Sequence, residues 1–184
     1  MKSGAFDPAK EFGENVTITE RSQLISITPN QAMKIISLRI ENQVIDDEFV
    51  DFLSLIDGFD SLYFYRCKVD CITLSNVYGC SVLGFVDCSL TSHSAILVLD
   101  DLARLEYVKT LDLSNNKIGV EPEVFSKWWK RDIAGVVTVE KIILSDNDFL
   151  EASKANLLSV FKKYTPYCQV VFWKQRISWK IRKK

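Results

Sequence analysis

Apolar positions in this chain return in short blocks that share one internal spacing. Leu111-Asp-Leu-Ser-Asn-Asn116-Lys-Ile118 and Ile142-Ile-Leu-Ser-Asp-Asn147-Asp-Phe149 align without a gap on the template apolar, any, apolar, any, any, Asn, any, apolar. Blocks at 38–45, 62–69, 83–90 and 170–177 satisfy the template with looser chemistry. The starts at 38, 62, 83, 111, 142 and 170 are separated by 24, 21, 28, 31 and 28 residues. Alternate side chains of a strand share a face, so the first and third positions of each block form an apolar stripe. The stripes are Leu38/Ile40, Leu62/Phe64, Leu83/Phe85, Leu111/Leu113, Ile142/Leu144 and Val170/Phe172. Each such side chain, once buried, contributes roughly 1.5–3 kcal/mol. A single block has nothing to bury them against, so the pattern predicts blocks stacked on one another.

The segments between blocks carry helix signals. Asp46-Asp47-Glu48 precedes Phe49, Phe52, Leu53 and Ile56 at helical spacing, with Gly58 beyond them. Thr91 or Ser92 can cap a helix over 95–105. Glu121-Pro122-Glu123 opens a helix over 124–130 with proline in its first turn. Residues 151–164 carry Leu157, Leu158 and Phe161, with Lys162 and Lys163 where the helix dipole favours cations. Strand and helix alternate, which predicts parallel strands and an α/β fold. Residues 15–27 read as a β-hairpin, with Val16 and Ile18 in the first strand, Glu20-Arg21-Ser22-Gln23 in the turn and 24–27 returning. At the other end Ile177, Trp179 and Ile181 alternate with Ser178, Lys180 and Arg182, which predicts a capping edge strand with a basic face. The chain thus divides into 1–32, an N-terminal segment with a hairpin cap, and 33–184, about six repeats closed by that strand.

The pattern LxLxxNxI resembles the leucine-rich repeat family, and the repeat lengths are nearest its ribonuclease-inhibitor-like variety. The resemblance covers roughly residues 33–184. The 21-residue step after Leu62 and the 31-residue step after Leu111 depart from an even array. The resemblance implies a solenoid with a parallel strand ladder on its concave face and helices or loops on its convex face. It implies a structural ladder at the sixth position, occupied by Gln43, Cys67, Cys88, Asn116, Asn147 and Gln175. These side chains would point inward and hydrogen-bond the backbone where the chain leaves each strand. A bend repeated in every layer exposes amides and carbonyls, and each one left unmet costs about 1–3 kcal/mol. The resemblance also implies that a partner binds the outward strand positions. These are Arg39, Glu41, Tyr63, Tyr65, Arg66, Asp87, Asp112, Ser114, Asn115, Ser145, Asp146, Trp173 and Lys174. Tyr, Trp and Arg dominate binding hot spots, so Tyr63, Tyr65, Arg66 and Trp173 are the expected anchors.

The 184 residues include 23 Lys and Arg against 24 Asp and Glu, and 47% are hydrophobic. This balance excludes a disordered chain and a protein that coats nucleic acid by charge alone. Charge is unevenly placed, however. Residues 41–60 hold Glu41, Asp46, Asp47, Glu48, Asp51, Asp57 and Asp60 with no base. Residues 160–184 hold Lys162, Lys163, Lys174, Arg176, Lys180, Arg182, Lys183 and Lys184 with no acid. Stacking turns sequence order into spatial order, so the two ends should differ in sign. The basic end offers an alternative function, docking to RNA or an anionic membrane surface. The first residues lack the apolar run of a secretory signal, and no stretch of about 18 apolar residues spans a bilayer. Cysteines at 67, 71, 80, 88 and 168 are odd in number, which points to reduced thiols in an intracellular compartment, cytoplasmic or organellar.

Catalytic patterns are sparse. His93, the single histidine, stands in Ser92-His93-Ser94 and reads as a solvated helix-start residue, with a general base as the alternative. Cys67 and Cys71 have CxxxC spacing but no second pair to complete a zinc site. Gly79 and Gly84 have phosphate-loop spacing, yet Phe85 replaces the required lysine. Asp146-Asn147-Asp148 begins like a calcium loop and lacks its glycine. The expectation is a non-enzymatic interaction module without metal or cofactor. It would act as an adaptor, or as a subunit or assembly factor of a larger complex. A bacterial effector of leucine-rich-repeat type is a further alternative.

Overall fold

The computed structural model describes residues 15–56, 58–69, 79–100, 102, 105, 107–133 and 139–173. The strands are β1 (Asn15–Ile18), β2 (Ser37–Glu41), β3 (Val44–Ile45), β4 (Phe59–Tyr65), β5 (Lys68–Val69), β6 (Cys80–Val86), β7 (Val108–Asp112), β8 (Lys141–Ile143) and β9 (Gln169–Val171). A seven-stranded sheet runs β1-β2-β4-β6-β7-β8-β9, so spatial order follows chain order. Every neighbouring pair in it is parallel. The short strands β3 and β5 form a second parallel pair.

The repeat template and the strand register coincide. Val16 pairs with Leu38, Leu38 with Leu62, Leu62 with Leu83, Leu83 with Leu111, Leu111 with Ile142, and Ile142 with Val170. First-position residues therefore stack on first-position residues across the sheet. Those of β2 to β8, with their third-position partners Ile40, Phe64, Phe85, Leu113 and Leu144, are at most 1% exposed. Phe64 and Phe85 stack with centroids 4.8 Å apart and ring planes 7° apart. At the last strand Val170 and Phe172 are only half-buried.

Helices cover this apolar face. They are α1 (Arg21–Ser26), α2 (Pro29–Ala32), α3 (Asp47–Leu53), α4 (Ser92–Leu99), α5 (Pro122–Trp128) and α6 (Glu151–Tyr164). Phe49 and Leu53 of α3, Ala95 and Leu99 of α4, Phe125 of α5, and Leu157 and Phe161 of α6 join the strand residues in one core. The starts follow the chemistry of their first residues. Asp46 Oδ1 accepts the Phe49 N–H at 3.4 Å, and Thr91 Oγ1 accepts the Ser94 N–H at 3.3 Å. Pro122 stands in the first turn of α5. Among the described residues, no helix is long and apolar enough to cross a membrane.

The N-terminal hairpin is not formed. Val16 and Ile18 lie in β1, but β1 runs parallel to β2, and the expected turn and return strand are the helix α1. The physical reason is a capping box. Gln23 Oε1 accepts the N–H groups of Thr19 at 2.7 Å and Glu20 at 2.9 Å, which starts a helix where a turn was expected. Thr28 and Gln31 repeat the device at α2, with the Thr28 N–H 2.9 Å from Gln31 Oε1. A parallel neighbour requires a crossover, and α1 and α2 supply it. The repeating register therefore begins at Val16, ahead of the boundary at 32/33. The expected C-terminal capping strand at 177–181 lies outside the described residues.

The sixth-position side chains bond the backbone of the preceding layer. Gln43 Nε2 donates to Thr19 O (2.7 Å), Cys67 Sγ to Ile40 O (3.3 Å), Cys88 Sγ to Phe64 O (3.4 Å), Asn116 Nδ2 to Phe85 O (2.7 Å) and Asn147 Nδ2 to Leu113 O (2.7 Å). The asparagines also use their oxygens. Asn116 Oδ1 accepts the N–H groups of Cys88 and Leu90, each at 3.0 Å, and Asn147 Oδ1 that of Ile118 at 3.1 Å. Gln175, the last member, lies outside the described residues. Replacing Asn116 by alanine strands buried amides and carbonyls of two layers, and should cost about 3 kcal/mol in urea denaturation. Gln43→Ala, at a half-buried position near the sheet edge, should cost less than about 1 kcal/mol in the same experiment.

Candidate functional site

The second and fourth positions of each strand face away from the helices, and the fifth turns the chain off the sheet. Asn42, Arg66, Asp87, Asn115 and Asp146 occupy that fifth position, and all have φ between 52° and 57°. The left-handed region is tolerated by Asn and Asp, whose short side chains bond locally. The bend is secured by the following layer. The N–H of Asn42 donates to Tyr65 O (2.9 Å), that of Arg66 to Val86 O (3.0 Å), that of Asp87 to Ser114 O (3.0 Å) and that of Asn115 to Ser145 O (2.9 Å). Arg66 is the long side chain in this column. A residue held in a sparsely populated conformation by its surroundings is a recognised mark of functional positions.

Arg66 belongs to a connected cluster on β2, β4 and β6. Its Nε lies 2.9 Å from Asp87 Oδ2, which raises the guanidinium further above its ordinary value. Its guanidinium carbon lies 4.8 Å from the centroid of the Tyr65 ring. Arg39 approaches the same ring at 4.5 Å and pairs with Glu41. Tyr65 thus carries two guanidinium groups, each bonded to a carboxylate. Cations over a phenol ring gain about 0.5–1 kcal/mol at exposed sites.

Tyr63 occupies the neighbouring row. A Cβ added to Gly84 would lie 2.2 Å from Tyr63 Cδ1, so the ring lies directly over that glycine. The absent side chain on β6 is what lets the β4 tyrosine lie down. Burial raises the Tyr63 phenol above its ordinary 10.0, the Asp112 carboxylate raises it further, and Arg39 opposes both. The pattern of outward positions did not reveal this pairing; its one trace in the sequence is a glycine where other rows carry a side chain.

Arg39, Glu41, Tyr63, Tyr65, Arg66 and Asp87 are therefore brought together, with Asp112 beneath them near Tyr63, while Ser114, Asn115, Ser145, Asp146 and Trp173 lie apart from this surface cluster. Asp112 (4% exposed), Ser114 (0%) and Ser145 (0%) are on the strand face but below its surface. Asp112 Oδ1 folds back to accept the Ser114 N–H at 3.0 Å, and the serines are too short to project. Asn115 and Asp146 are exposed at their bends. Trp173 is 72% exposed beyond β9, and the Lys154 ammonium is 4.7 Å from its centroid. Four inter-strand steps of about 4.8 Å separate β4 from β9, so Trp173 is roughly 19 Å from the tyrosine pair and forms a separate patch of the face. Lys174 and Cys71 lie outside the described residues.

The other candidates have local explanations. His93 Nδ1 lies 3.0 Å from Glu121 Oε2, linking the exposed starts of α4 and α5. Burial pushes the thiols of Cys80 and Cys88 up to about 12, so both stay protonated at neutral pH, and it raises Cys67 as well. No protein-family model matches the chain, and neither a curated protein nor a solved structure does. The fold and this face together define an α/β protein with a parallel sheet whose side opposite the helices carries an arginine–tyrosine cluster.

Two outcomes follow from the Tyr63–Gly84 contact. Gly84→Ala should lift the ring from the sheet and return the phenol toward its ordinary value in a spectrophotometric titration. A raised phenol stabilises the fold while protonated, so that contribution is present below pH 10.0 and is lost as pH climbs beyond it. Tyr63→Phe should therefore flatten the alkaline fall in urea stability.

Proposed function

We propose that the chain is a leucine-rich-repeat solenoid serving as a non-enzymatic protein-interaction module, which holds its partner through the strand face around Tyr65. Three features support the solenoid reading. Strand order follows chain order, the template positions stack in register, and the described sixth-position side chains bond the backbone of the preceding layer as well as their own. Such nearest-neighbour bonding is how repeat proteins are held together.

The observation that carries the binding reading is the cluster of Arg39, Tyr65 and Arg66 with Glu41 and Asp87. Arg and Tyr concentrate binding energy in interfaces. Side chains already held by ion pairs and ring contacts lose less rotamer freedom on binding than free ones. The partner in this reading is another protein, which covers Tyr65 and offers polar groups to the rim. The chain would serve as an adaptor or as a subunit of a larger assembly.

Affinity capture from the native cell, with wild-type and variant chains side by side, tests the assigned face. Tyr65→Ala and Arg66→Ala should each reduce recovery of the specific partner at least tenfold, roughly 1.4 kcal/mol, with the melting temperature little changed. His93→Ala should recover it in full. A partner retained by both face variants, or lost with His93→Ala alone, refutes the assignment.

A further inference from the structure

A second surface lies on the helical side, where α5 and the π-helical turn Trp129–Ile133 pack beside α6. The packing is aromatic: Trp129 and Phe161 have centroids 4.5 Å apart, and Trp129 Nε1 donates to Thr165 Oγ1 at 3.3 Å. Beside this contact is an open groove of about 180 Å³, lined by Glu123, Ser126, Lys127, Lys130, Asn156 and Val160. Its walls are almost wholly carbon, supplied in part by the stems of the lysines, whose charged heads remain at the rim. Lys130 extends from this rim to the Tyr164 ring (5.0 Å), and Lys163 reaches the same ring from α6 (5.2 Å).

Arg21, Arg39, Arg66 and Lys154 each have a carboxylate partner. Among the described residues, Lys127, Lys130 and Lys163 make no ion pair. The lone acid lining the groove is Glu123, in the first turn of α5, and the lining lysines Lys127 and Lys130 stand about one and two turns further along the chain. An apolar trench with a basic rim at one end complements a segment that is apolar in the middle and acidic at one end. RNA is a poorer fit, because the lysines already cover the Tyr164 ring that a base would need for stacking.

We propose that this groove docks an acidic amphipathic helix of a partner protein. An apolar side chain of that helix enters between α5 and α6, and its carboxylates meet Lys127, Lys130 and Lys163. The site is independent of the strand face, so one chain could join two partners.

The test uses the full chain and two fluorescein-labelled synthetic peptides. One carries leucines along one helical face with glutamates beside them, and its twin has lysines in place of the glutamates. The acidic peptide should bind, with affinity falling as salt rises. The Lys127→Glu/Lys130→Glu double variant should weaken it at least tenfold, and Val160→Asp should do the same. Tyr65→Ala should leave it unchanged, which separates this site from the strand face. Equal binding of both peptides, binding indifferent to the double variant, or loss with Tyr65→Ala would overturn the proposal. So would absence of peptide binding, whether or not phosphatidylserine vesicles or single-stranded RNA are retained.

Discussion

The strands β2, β4, β6, β7 and β8 each end in a left-handed bend, and a bend turns backbone donors and acceptors out of the ladder that satisfied them. Meeting those groups is the constraint on which the rest of the molecule depends. The solution is bilateral. The fifth residue, in a left-handed conformation, donates its N–H forward to the next layer, while the sixth residue sends its side chain back to the previous one. The bends after β2, β4, β6 and β7 are gripped from both sides, so these layers cannot rotate or slip without breaking hydrogen bonds to the layers on either side. The apolar stripes supply the larger energy, but they are non-directional. It is the bend column that sets the register and therefore the position of each outward side chain.

The register was legible because it depends on chemistry repeated within short blocks: two apolar ribs and a polar or thiol side chain three residues after the second. Helices α3 and α6 were legible for a similar reason, since Asp46 and the 151–164 periodicity act within one or two turns. A helix replaces the expected hairpin where two local signals compete. Glu20-Arg21-Ser22-Gln23 has turn-like polarity, but the decisive feature is a glutamine three residues after the would-be cap, able to bond backward to the chain. The left-handed column was half visible, since Asn and Asp fill most of it. Arg66 conceals the pattern, as it gives no sequence hint of a positive φ.

The candidate site was less legible than the fold, because the template assigns side chains to a face without giving their height. Tyr63 and Gly84 are 21 positions apart and act as one unit only because β4 and β6 are neighbours in that register. Asp112, Ser114 and Ser145 share the face with Tyr65 but lie too low for contact. The aromatic residues Tyr65 and Trp173 look equivalent in the template, yet three strands lie between theirs. A linear list of outward positions thus merges patches that lie apart on the face.

Charge shows the same conversion of sequence distance into spatial pairing. The acids that open α3 are not an isolated negative patch: Arg21, from the preceding layer, lies 2.8 Å from Asp46, also pairs with Glu48, and stacks 4.6 Å from the Phe49 ring. Its guanidinium holds the Asp46 carboxyl below its ordinary value. Arg66 with Asp87, and His93 with Glu121, likewise link one layer to the next. Charge in this part of the molecule is thus spent on internal pairing, and the strand-face cluster is organised before any partner arrives. The lysines beside α5 and α6 have no such pairing, so a ligand there gains attraction without first displacing a carboxylate. The two proposed surfaces should accordingly differ in salt response: binding at the strand face would rest on shape and ring contacts, binding in the groove on charge that counterions screen.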